Sequence, residues 1–338
     1  MYSFLNDYSE GAHPKVLEAL VSTNDIQTVG YGLDEYCHQA REIIQQRIQQ
    51  EADVHFLVGG TQTNSIVIKA ALKSYQAVMA CDEGHIFVHE TGAIEATGHK
   101  VLTCPHVDGK LTVDMVQSML DEHGDEHMVQ PKMVYISQTT ELGSYYTKQE
   151  LEDLYTFTKK HHLYLFIDGA RLASSLSLKD APTMAEIAKN CDAFYIGGTK
   201  SGALFGEALV ILNDDLKKDF RYYMKQSGGL LAKGRLLGVQ FTALLKDELY
   251  EEIGIHENKM AMIIKEAFVE KGYPLYIDSY SNQLFIDLPK DIIEKIETEY
   301  MITHIKQLDA DHERIRIVTS WKTSENIAKQ FASFIRKL

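Results

Sequence analysis

Short apolar runs alternate with amphipathic stretches from about residue 53 to about 215. The stretch 148–162 is typical of the intervening helices, because Leu151, Leu154 and Phe157 lie close enough in helical phase to face a core. This alternation predicts a doubly wound α/β domain with a mostly parallel sheet. The predicted strands are 54–59, 77–81, 132–137, 164–169, 193–198 and 207–213.

The pattern of apolar and polar residues changes in the last third of the chain, where helical periodicity gives way to short strands. We expect a large domain over 1–240 and a smaller α+β domain over 241–338. No Pro/Gly/Ser-rich linker separates them, so the two domains should pack together rather than swing freely. The elements predicted here are a helical region of roughly 214–272, strands at 283–288 and 314–320, and a closing helix at 325–338.

Two charged residues stand where predicted strands of the alternating region end. Asp168 closes the run YLFID, and Lys200 lies in GGTKSG after the next strand. Ligands of open α/β sheets bind at such carboxyl ends. Small neighbours leave room for a planar ring beside Lys200, and burial would lower the pKa of the amine and ready it to form a Schiff base. Asp168 could hold a pyridine nitrogen protonated, so the pair suits pyridoxal 5'-phosphate (PLP) chemistry.

Each of these residues also has a plainer interpretation. Asp168 could be the N-cap of a helix over 169–178, and Lys200 could be a solvated loop residue. The occurrence of both within one αβ repeat favours the cofactor interpretation.

A possible phosphate cradle precedes this pair in the chain. In VGGTQTNSIVIKAAL (58–72) a strand end and a glycine pair lead into a helix without an acidic residue in its first turn. The backbone N–H groups of Gly60, Thr61 and Gln62, the Thr61 hydroxyl and the positive helix end could bind phosphate. The pattern is neither a Rossmann nor a P-loop motif, so nucleotide binding is not expected. The alternative to phosphate binding is that the glycine pair only allows a turn between the strand and the helix.

Composition narrows the class of protein. The 338 residues carry a net charge of −14, and the pI of about 5.4 leaves no basic surplus for nucleic acid or anionic membranes. Four cysteines lack C-x-x-C spacing, and no secretion signal or membrane-spanning run is evident. We expect a cytoplasmic enzyme with free thiols and no metal site.

Together these segments resemble the threonine aldolase/β-eliminating lyase family of PLP enzymes, within the aspartate-aminotransferase fold (fold type I), over nearly the whole chain. A family strand ending in D-G-A-R supplies the pyridine aspartate and a nearby arginine, which fall on Asp168 and Arg171. A T-K-x-G segment supplies the Schiff-base lysine, which is Lys200 here. The family's phosphate-binding glycine and threonine match Gly60 and Thr61.

The resemblance extends to positions outside that core motif. The ring-stacking histidine falls on His85, and the arginine that holds the substrate carboxylate falls on Arg316. Asn6–Asp7 stand where the family has S-D, and Tyr31–Gly32 match its Y-G. The resemblance therefore implies that Asn6 and Tyr31 contribute to substrate binding.

Alternatives stay open for three of these side chains. His85 could be a surface histidine. Arg171 could bond the substrate carboxylate or the cofactor phosphate, or pair with a neighbouring acid. Arg316 shares its strand face with Arg314, and the two could be solvated edge charges, although an arginine fork suits a carboxylate well.

The resemblance also implies a shared site in a homodimer or homotetramer. The segment MKQSGGLLAKGRLL (224–237) is glycine-rich and basic, and the family uses its counterpart to reach a neighbouring subunit's phosphate. Lys233 and Arg235 are the candidates for that role.

The chain departs from the family pattern at two places. Threonine aldolases commonly have E-N-T-H where this chain has S-Q-T-T, so Thr140 replaces a second active-site histidine, and V-T-H near the C-terminus becomes V-T-S, ending at Ser320. The segment SQTTELGSYYT is closer to the branch that includes phenylserine aldolases. The general base could then be His85, His89 or a bound water.

The activity implied by the resemblance is cleavage of a β-hydroxy-α-amino acid, such as L-threonine, L-allo-threonine or a phenylserine-like compound, to glycine and an aldehyde. Another PLP reaction on this fold, β-elimination or transamination, is an alternative. A PLP-binding protein without turnover is disfavoured, because the chain keeps both Lys200 and Asp168 and has no extra DNA-binding or ligand-sensing module.

Overall fold

The computed structural model describes residues 1–338 as twelve strands and fourteen α-helices, with a 3-10 turn at Glu95–Thr97. The strands are β1 (Tyr2–Ser3), β2 (Asp53–Leu57), β3 (Gln76–Cys81), β4 (Lys100–Cys104), β5 (Gln130–Ser137), β6 (Tyr164–Asp168), β7 (Ala193–Gly197), β8 (Glu207–Ile211), β9 (Gln283–Pro289), β10 (Tyr300–Met301), β11 (Thr303–Gln307) and β12 (His312–Val318). The helices are α1 (Pro14–Ser22), α2 (Glu35–Ile48), α3 (Gly60–Ala71), α4 (His85–Val88), α5 (Val113–Glu122), α6 (Lys148–Lys160), α7 (Leu172–Leu176), α8 (Met184–Lys189), α9 (Asp214–Lys217), α10 (Phe220–Gln226), α11 (Arg235–Leu245), α12 (Leu249–Glu270), α13 (Lys290–Glu297) and α14 (Glu325–Lys337).

The large sheet has seven strands in the order β2-β8-β7-β6-β5-β3-β4. Only β8 runs antiparallel to its neighbours, and the other pairs are parallel. The carboxyl ends of β5, β6 and β7 therefore meet at one edge of the sheet. Because β8 is reversed, its first residue, Glu207, pairs with Gly197 at the end of β7 and so begins at that same edge.

Side chains of the sheet alternate between two buried layers, as the pleat requires. On β5, Val134 and Ile136 join one apolar core while Met133 and Tyr135 join the other. Both faces of the sheet are covered, which explains why its strands are apolar at nearly every position.

A second unit has its own core around an antiparallel sheet in the order β11-β12-β9. Helix α14 packs on this unit through Ala328, Phe331 and Ile335, which are fully buried. The start of the chain also belongs to this core, because Phe4 is buried in it and β1 pairs with β10.

Helix α12 connects the two cores. Its first turns place Leu249 and Ile253 in the core of the large sheet, and its later turns place Met260 and Ile264 in the second core. Gly254 allows a close approach to α7, since a Cβ there would lie 1.9 Å from the Ala173 carbonyl oxygen. The predicted boundary at 240/241 falls inside α11 and stays a prediction.

The α/β fold predicted from the alternating pattern is confirmed, and each predicted strand is present within one or two residues of its expected bounds. The predicted helical region 214–272 consists of four helices, α9 to α12. Four strands were not predicted: the two-residue strands β1 and β10, and β4 and β11, which lie at sheet edges and carry exposed or half-buried side chains at three of five and at all five positions.

Candidate active site

Asp168 lies at the carboxyl end of β6 and receives four hydrogen bonds. Its Oδ2 accepts from the Tyr135 hydroxyl at 2.6 Å and from Asn64 Nδ2 at 3.1 Å. Its Oδ1 accepts from the Tyr195 hydroxyl and from the Ala170 N–H. Burial alone would raise the pKa of Asp168, but His85 and these donors outweigh burial and hold the pKa below its ordinary value.

Asp168 is therefore ionised at neutral pH. The N-cap interpretation is wrong, because the following helix, α7, begins at Leu172 and has Arg171 at its N-cap position, without a side-chain cap bond.

Lys200 follows β7 in a loop at the same edge of the sheet, and its amine makes no hydrogen bond within the chain. The ring of Tyr8 lies 6.0 Å from Nζ. Burial lowers the pKa of Lys200, and the nearby Arg171 guanidinium lowers it further, whereas Asp7 and Asp168 act in the opposite direction. The solvated-loop interpretation is wrong, since Lys200 is half-buried and its amine is surrounded by the charges of Arg171, Asp7 and Asp168.

The loop before Lys200 is held by a buried carboxyl group that sequence reasoning missed. Glu207 accepts from the Gly198 N–H at 3.1 Å and from the Thr199 hydroxyl at 2.8 Å. Burial raises the pKa of Glu207 to about 8. A signal was present, because Glu207 is a single charge at the start of the apolar run EALVIL, just as Asp168 is at the end of another.

The predicted phosphate cradle is the N-terminus of α3. No side chain caps this helix and its first turn has no acidic residue, so the N–H groups of Gly60, Thr61 and Gln62 have no acceptor in the chain. A Cβ at Gly60 would lie 3.0 Å from the Tyr195 hydroxyl, the same hydroxyl that bonds Asp168. The cradle and the Asp168 carboxylate are thus close neighbours.

His85 begins α4 and is oriented by a buried acid. Its Nδ1 lies 2.8 Å from Glu90 Oε1, which also accepts from Asn64 at 2.7 Å. Because Asn64 donates to Asp168 as well, one hydrogen-bond chain connects His85 with Asp168. Burial would lower the pKa of His85, but the bond to Glu90 and the charge of Asp168 raise it.

His89 follows α4 and stands beside His85, with ring centroids 5.5 Å apart. It is exposed. Burial of its inner part lowers the pKa of His89, and the positive charges of His85 and Arg316 lower it further.

Arg171 forms a two-pronged ion pair with Asp7. Its Nε and Nη2 donate to the Asp7 carboxylate at 2.7 and 3.1 Å, and Asn282 donates to Asp7 at 2.9 Å. Of the alternatives for Arg171, pairing with a neighbouring acid is the one present in this structure. This pair ties the N-terminal segment and the second unit to the end of β6.

Arg316 differs from its neighbour Arg314 in what it binds. Arg314 donates two hydrogen bonds to Asp287 and covers the Tyr276 ring, so it is satisfied within its own sheet. Arg316 donates only from Nη2, to the Leu5 carbonyl at 3.2 Å, and its buried Nε has no acceptor. The guanidinium of Arg316 therefore keeps donors for a ligand.

Thr140 is fully buried, with its hydroxyl 2.8 Å from that of Ser144. Its hydroxyl is therefore occupied within the chain, and a role for Thr140 in binding substrate, at the position of the family's histidine, stays a prediction. Its neighbour Glu141, which the sequence reasoning did not single out, bonds the His85 N–H instead. Asn6 accepts from the Tyr8 N–H and the Ser9 hydroxyl and thereby shapes the loop that carries Asp7.

Tyr31 and the basic loop lie apart from this group. Tyr31 has Lys225 over its ring at 4.6 Å, and Arg235 donates to the carbonyl of Thr23 at 2.6 Å and, from its other terminal nitrogen, to that of Ile26. Within one chain, no hydrogen bond or ion pair connects Tyr31, Lys233 or Arg235 with Asp168 or Lys200. Their predicted roles require a neighbouring subunit and stay predictions.

Comparison with known proteins agrees with this geometry. The family model described as β-eliminating lyase matches residues 6–315. A threonine aldolase structure from Leishmania major superposes with a TM-score of 0.98 at 50% identity and covers 100% of this chain and 99% of its own. A low specificity L-threonine aldolase of Pseudomonas aeruginosa is 29% identical over 98% of this chain and 96% of its own length. An aspartate aminotransferase of Thermus thermophilus, 13% identical, shares the fold with a TM-score of 0.74 over 100% of this chain and 91% of its own.

The fold is that of the fold-type I PLP enzymes. Within that class, the chain belongs to the threonine aldolase/β-eliminating lyase family. No helix is long and apolar enough to cross a membrane.

The residues present fit the cofactor that this fold implies. An unbonded amine at Lys200, an ionised carboxylate at Asp168 and an uncapped helix N-terminus at Gly60 match the aldehyde, pyridine nitrogen and phosphate of PLP in chemical type.

Proposed function

We propose that this protein is a PLP-dependent aldolase that cleaves a β-hydroxy-α-amino acid, such as L-threonine, to glycine and an aldehyde. The observation that carries the proposal is the pairing of an unbonded lysine amine with a four-donor aspartate at the ends of adjacent strands. Membership of the threonine aldolase/β-eliminating lyase family and the likeness to the Leishmania major threonine aldolase support it.

In the proposed site PLP supplies an electron sink for the bond pair released at Cα. Lys200 would hold its aldehyde group, Asp168 its pyridine nitrogen and the N-terminus of α3 its phosphate. Asp168 suits this role because its four hydrogen bonds keep it charged, and a charged carboxylate retains a proton on the opposing nitrogen. The Glu90 carboxylate fixes the His85 ring through Nδ1, and Asn64 in turn holds Glu90.

The substrate carboxylate would bind Arg316, whose Nε has no acceptor within the chain. A fixed carboxylate orients the Cα substituents, and orientation decides which bond breaks. Arg316→Lys should raise KM and lower kcat/KM at a cost of about 1–3 kcal/mol, because a point charge replaces a two-pronged donor. Arg314→Lys is the matched control, and an equal effect there would contradict the assignment.

The assembly and location are part of the same proposal. We infer a cytoplasmic homodimer or homotetramer in which Lys233 and Arg235 of one subunit approach the phosphate of another. Four free cysteines support a reducing compartment. The first turn of α3 contains no Lys or Arg that could balance the charge of a phosphate, which supports a contribution from a neighbour.

The decisive experiment is aldehyde release from a panel of β-hydroxy amino acids by the PLP-loaded protein. Glycine with stoichiometric aldehyde supports the proposal, whereas pyruvate with ammonia would indicate β-elimination and a half-reaction with a keto acid would indicate transamination. Borohydride reduction followed by mass spectrometry tests the cofactor attachment separately. An adduct on a lysine other than Lys200 would refute it.

A further inference from the structure

A half-buried acid follows the position where this chain lacks the family's usual histidine. Thr140 occupies the histidine position and is sequestered, with its hydroxyl on Ser144. The next residue, Glu141, points its carboxyl group towards α4, where Oε1 accepts from the His85 N–H at 2.8 Å. The Ser137 hydroxyl donates to the same oxygen at 2.6 Å. Two donors therefore fix the Glu141 carboxyl group beside His85.

Glu141 has no cationic partner. Its Oε1 is used by two neutral donors, and Oε2 makes no hydrogen bond within the chain. An ion pair or a fully bonded carboxylate would be a structural anchor, whereas a positioned carboxyl group with one free oxygen can accept and return a proton.

We propose that Glu141 is a second acid–base group of this site and does the work for which the family pattern supplies a histidine at the position of Thr140. This inference rests on the proposed function. In the step assigned to it, a Glu141 oxygen accepts the proton of the substrate β-hydroxyl. The O–H bond pair becomes the second C–O bond of the aldehyde, the Cα–Cβ bond pair remains with the glycine fragment, and glycine gains one proton at Cα, so atoms balance.

The electrostatic surroundings suit an acid–base role. Burial raises the pKa of Glu141 and the Asp168 carboxylate adds to this, while the bond from Ser137 acts in the opposite direction. A carboxyl group shifted towards neutrality is a better proton carrier at physiological pH than an ordinary glutamate. The titratable groups that face it are Cys81 at the end of β3, His85 of α4 and Glu90 beyond it, Tyr135 of β5, Tyr146, and Asp168 of β6.

Glu141→Gln separates proton transfer from positioning, because the amide oxygen can still accept from His85 and Ser137. With L-threonine we expect kcat to fall roughly 100-fold, KM to change less than twofold, and the acid limb of the kcat profile to disappear. Glu141→Asp keeps the carboxyl group and should recover part of the rate. Glu152→Gln, on the exposed face of α6, is the matched control. A fall of less than threefold, or a parallel change in KM, would overturn the inference.

A second readout does not depend on turnover. Infrared pH-difference spectra of the wild-type protein should contain a protonated-carboxyl band that is missing from Glu141→Gln. An unchanged spectrum would overturn the inference whatever the reaction is. If the band is present but no β-hydroxy amino acid releases an aldehyde, the proposed function fails while the proton-carrying group stands. If an aldehyde is released and Glu141→Gln keeps the rate, only the role of Glu141 fails.

Discussion

Asp168 and Glu207 are buried carboxyl groups at the same edge of the large sheet, with exposed fractions of 3% and 4%. Their pKa values nevertheless move in opposite directions. Asp168 has four donors and the positive influence of His85, so its pKa is lowered. Glu207 has two donors, and burial dominates, which raises its pKa to about 8.

Equal burial therefore produces a charged group in one place and a protonatable one in the other. The number of donors and the nearest cation decide the outcome. For a site that must hold a positive charge on a ring nitrogen, only the first arrangement is suitable.

The largest expected effect comes from removing the charge of Asp168. Asp168→Asn keeps the size and most of the hydrogen-bonding shape of the side chain but cannot hold a proton on a pyridine nitrogen. We expect kcat/KM to fall roughly 10²–10⁴-fold, with the protein still folded by circular dichroism. Retention of most activity would show that the charge on Asp168, which distinguishes it from Glu207, is not needed for catalysis.

A smaller effect should follow from removing one donor. Tyr135→Phe deletes the 2.6 Å bond to Asp168 at a cost of about 1.5–3 kcal/mol for a hydrogen bond to a charged group. With one donor fewer, the pKa of Asp168 rises, so its charge is lost at a higher pH on acidification. In a Glu141→Gln background, which lacks the acid limb assigned to Glu141, the remaining acid limb of the kcat/KM profile should therefore move to higher pH.

Tyr146→Phe is the matched control for that measurement. Tyr146 is also a buried tyrosine, but its hydroxyl bonds the backbone of Leu111 and not Asp168. It should lose stability without moving the acid limb. An equal shift in both variants would mean that the limb does not report Asp168.

Much of this edge could be predicted from the sequence because a charge that ends an apolar run is a local signal. Asp168 and Lys200 follow apolar runs in this way, and Glu207 stands at the start of one. Glu207 reaches the same edge only because its strand, β8, runs in the opposite direction. The contacts of Asn64, Glu90 and Glu141 could not be predicted. They depend on how segment 82–94, with its single-turn helix α4, and the loop 138–146 fold against α3 and β5, and no periodicity specifies that.

The smallest expected effect concerns the pH dependence of stability at Glu207. Its pKa rises from an ordinary value near 4.5 to about 8 in the folded protein, so between these pH values the native state binds more protons than the unfolded state. The stability that Glu207 contributes to the wild-type protein therefore falls as pH rises through this window. Glu207→Gln carries no such group, although it loses an acceptor for Gly198 or Thr199 at every pH.

The difference in unfolding free energy, variant minus wild type, should consequently increase by about 3–4 kcal/mol from pH 5 to pH 8 and level off above about pH 9. Urea titrations at several pH values measure it, with Glu152→Gln on the surface of α6 as the matched control. The slope is the test, because the lost hydrogen bond shifts only the intercept. A flat line for Glu207→Gln would mean that Glu207 is ionised like Asp168, and the contrast between the two carboxyl groups would be lost.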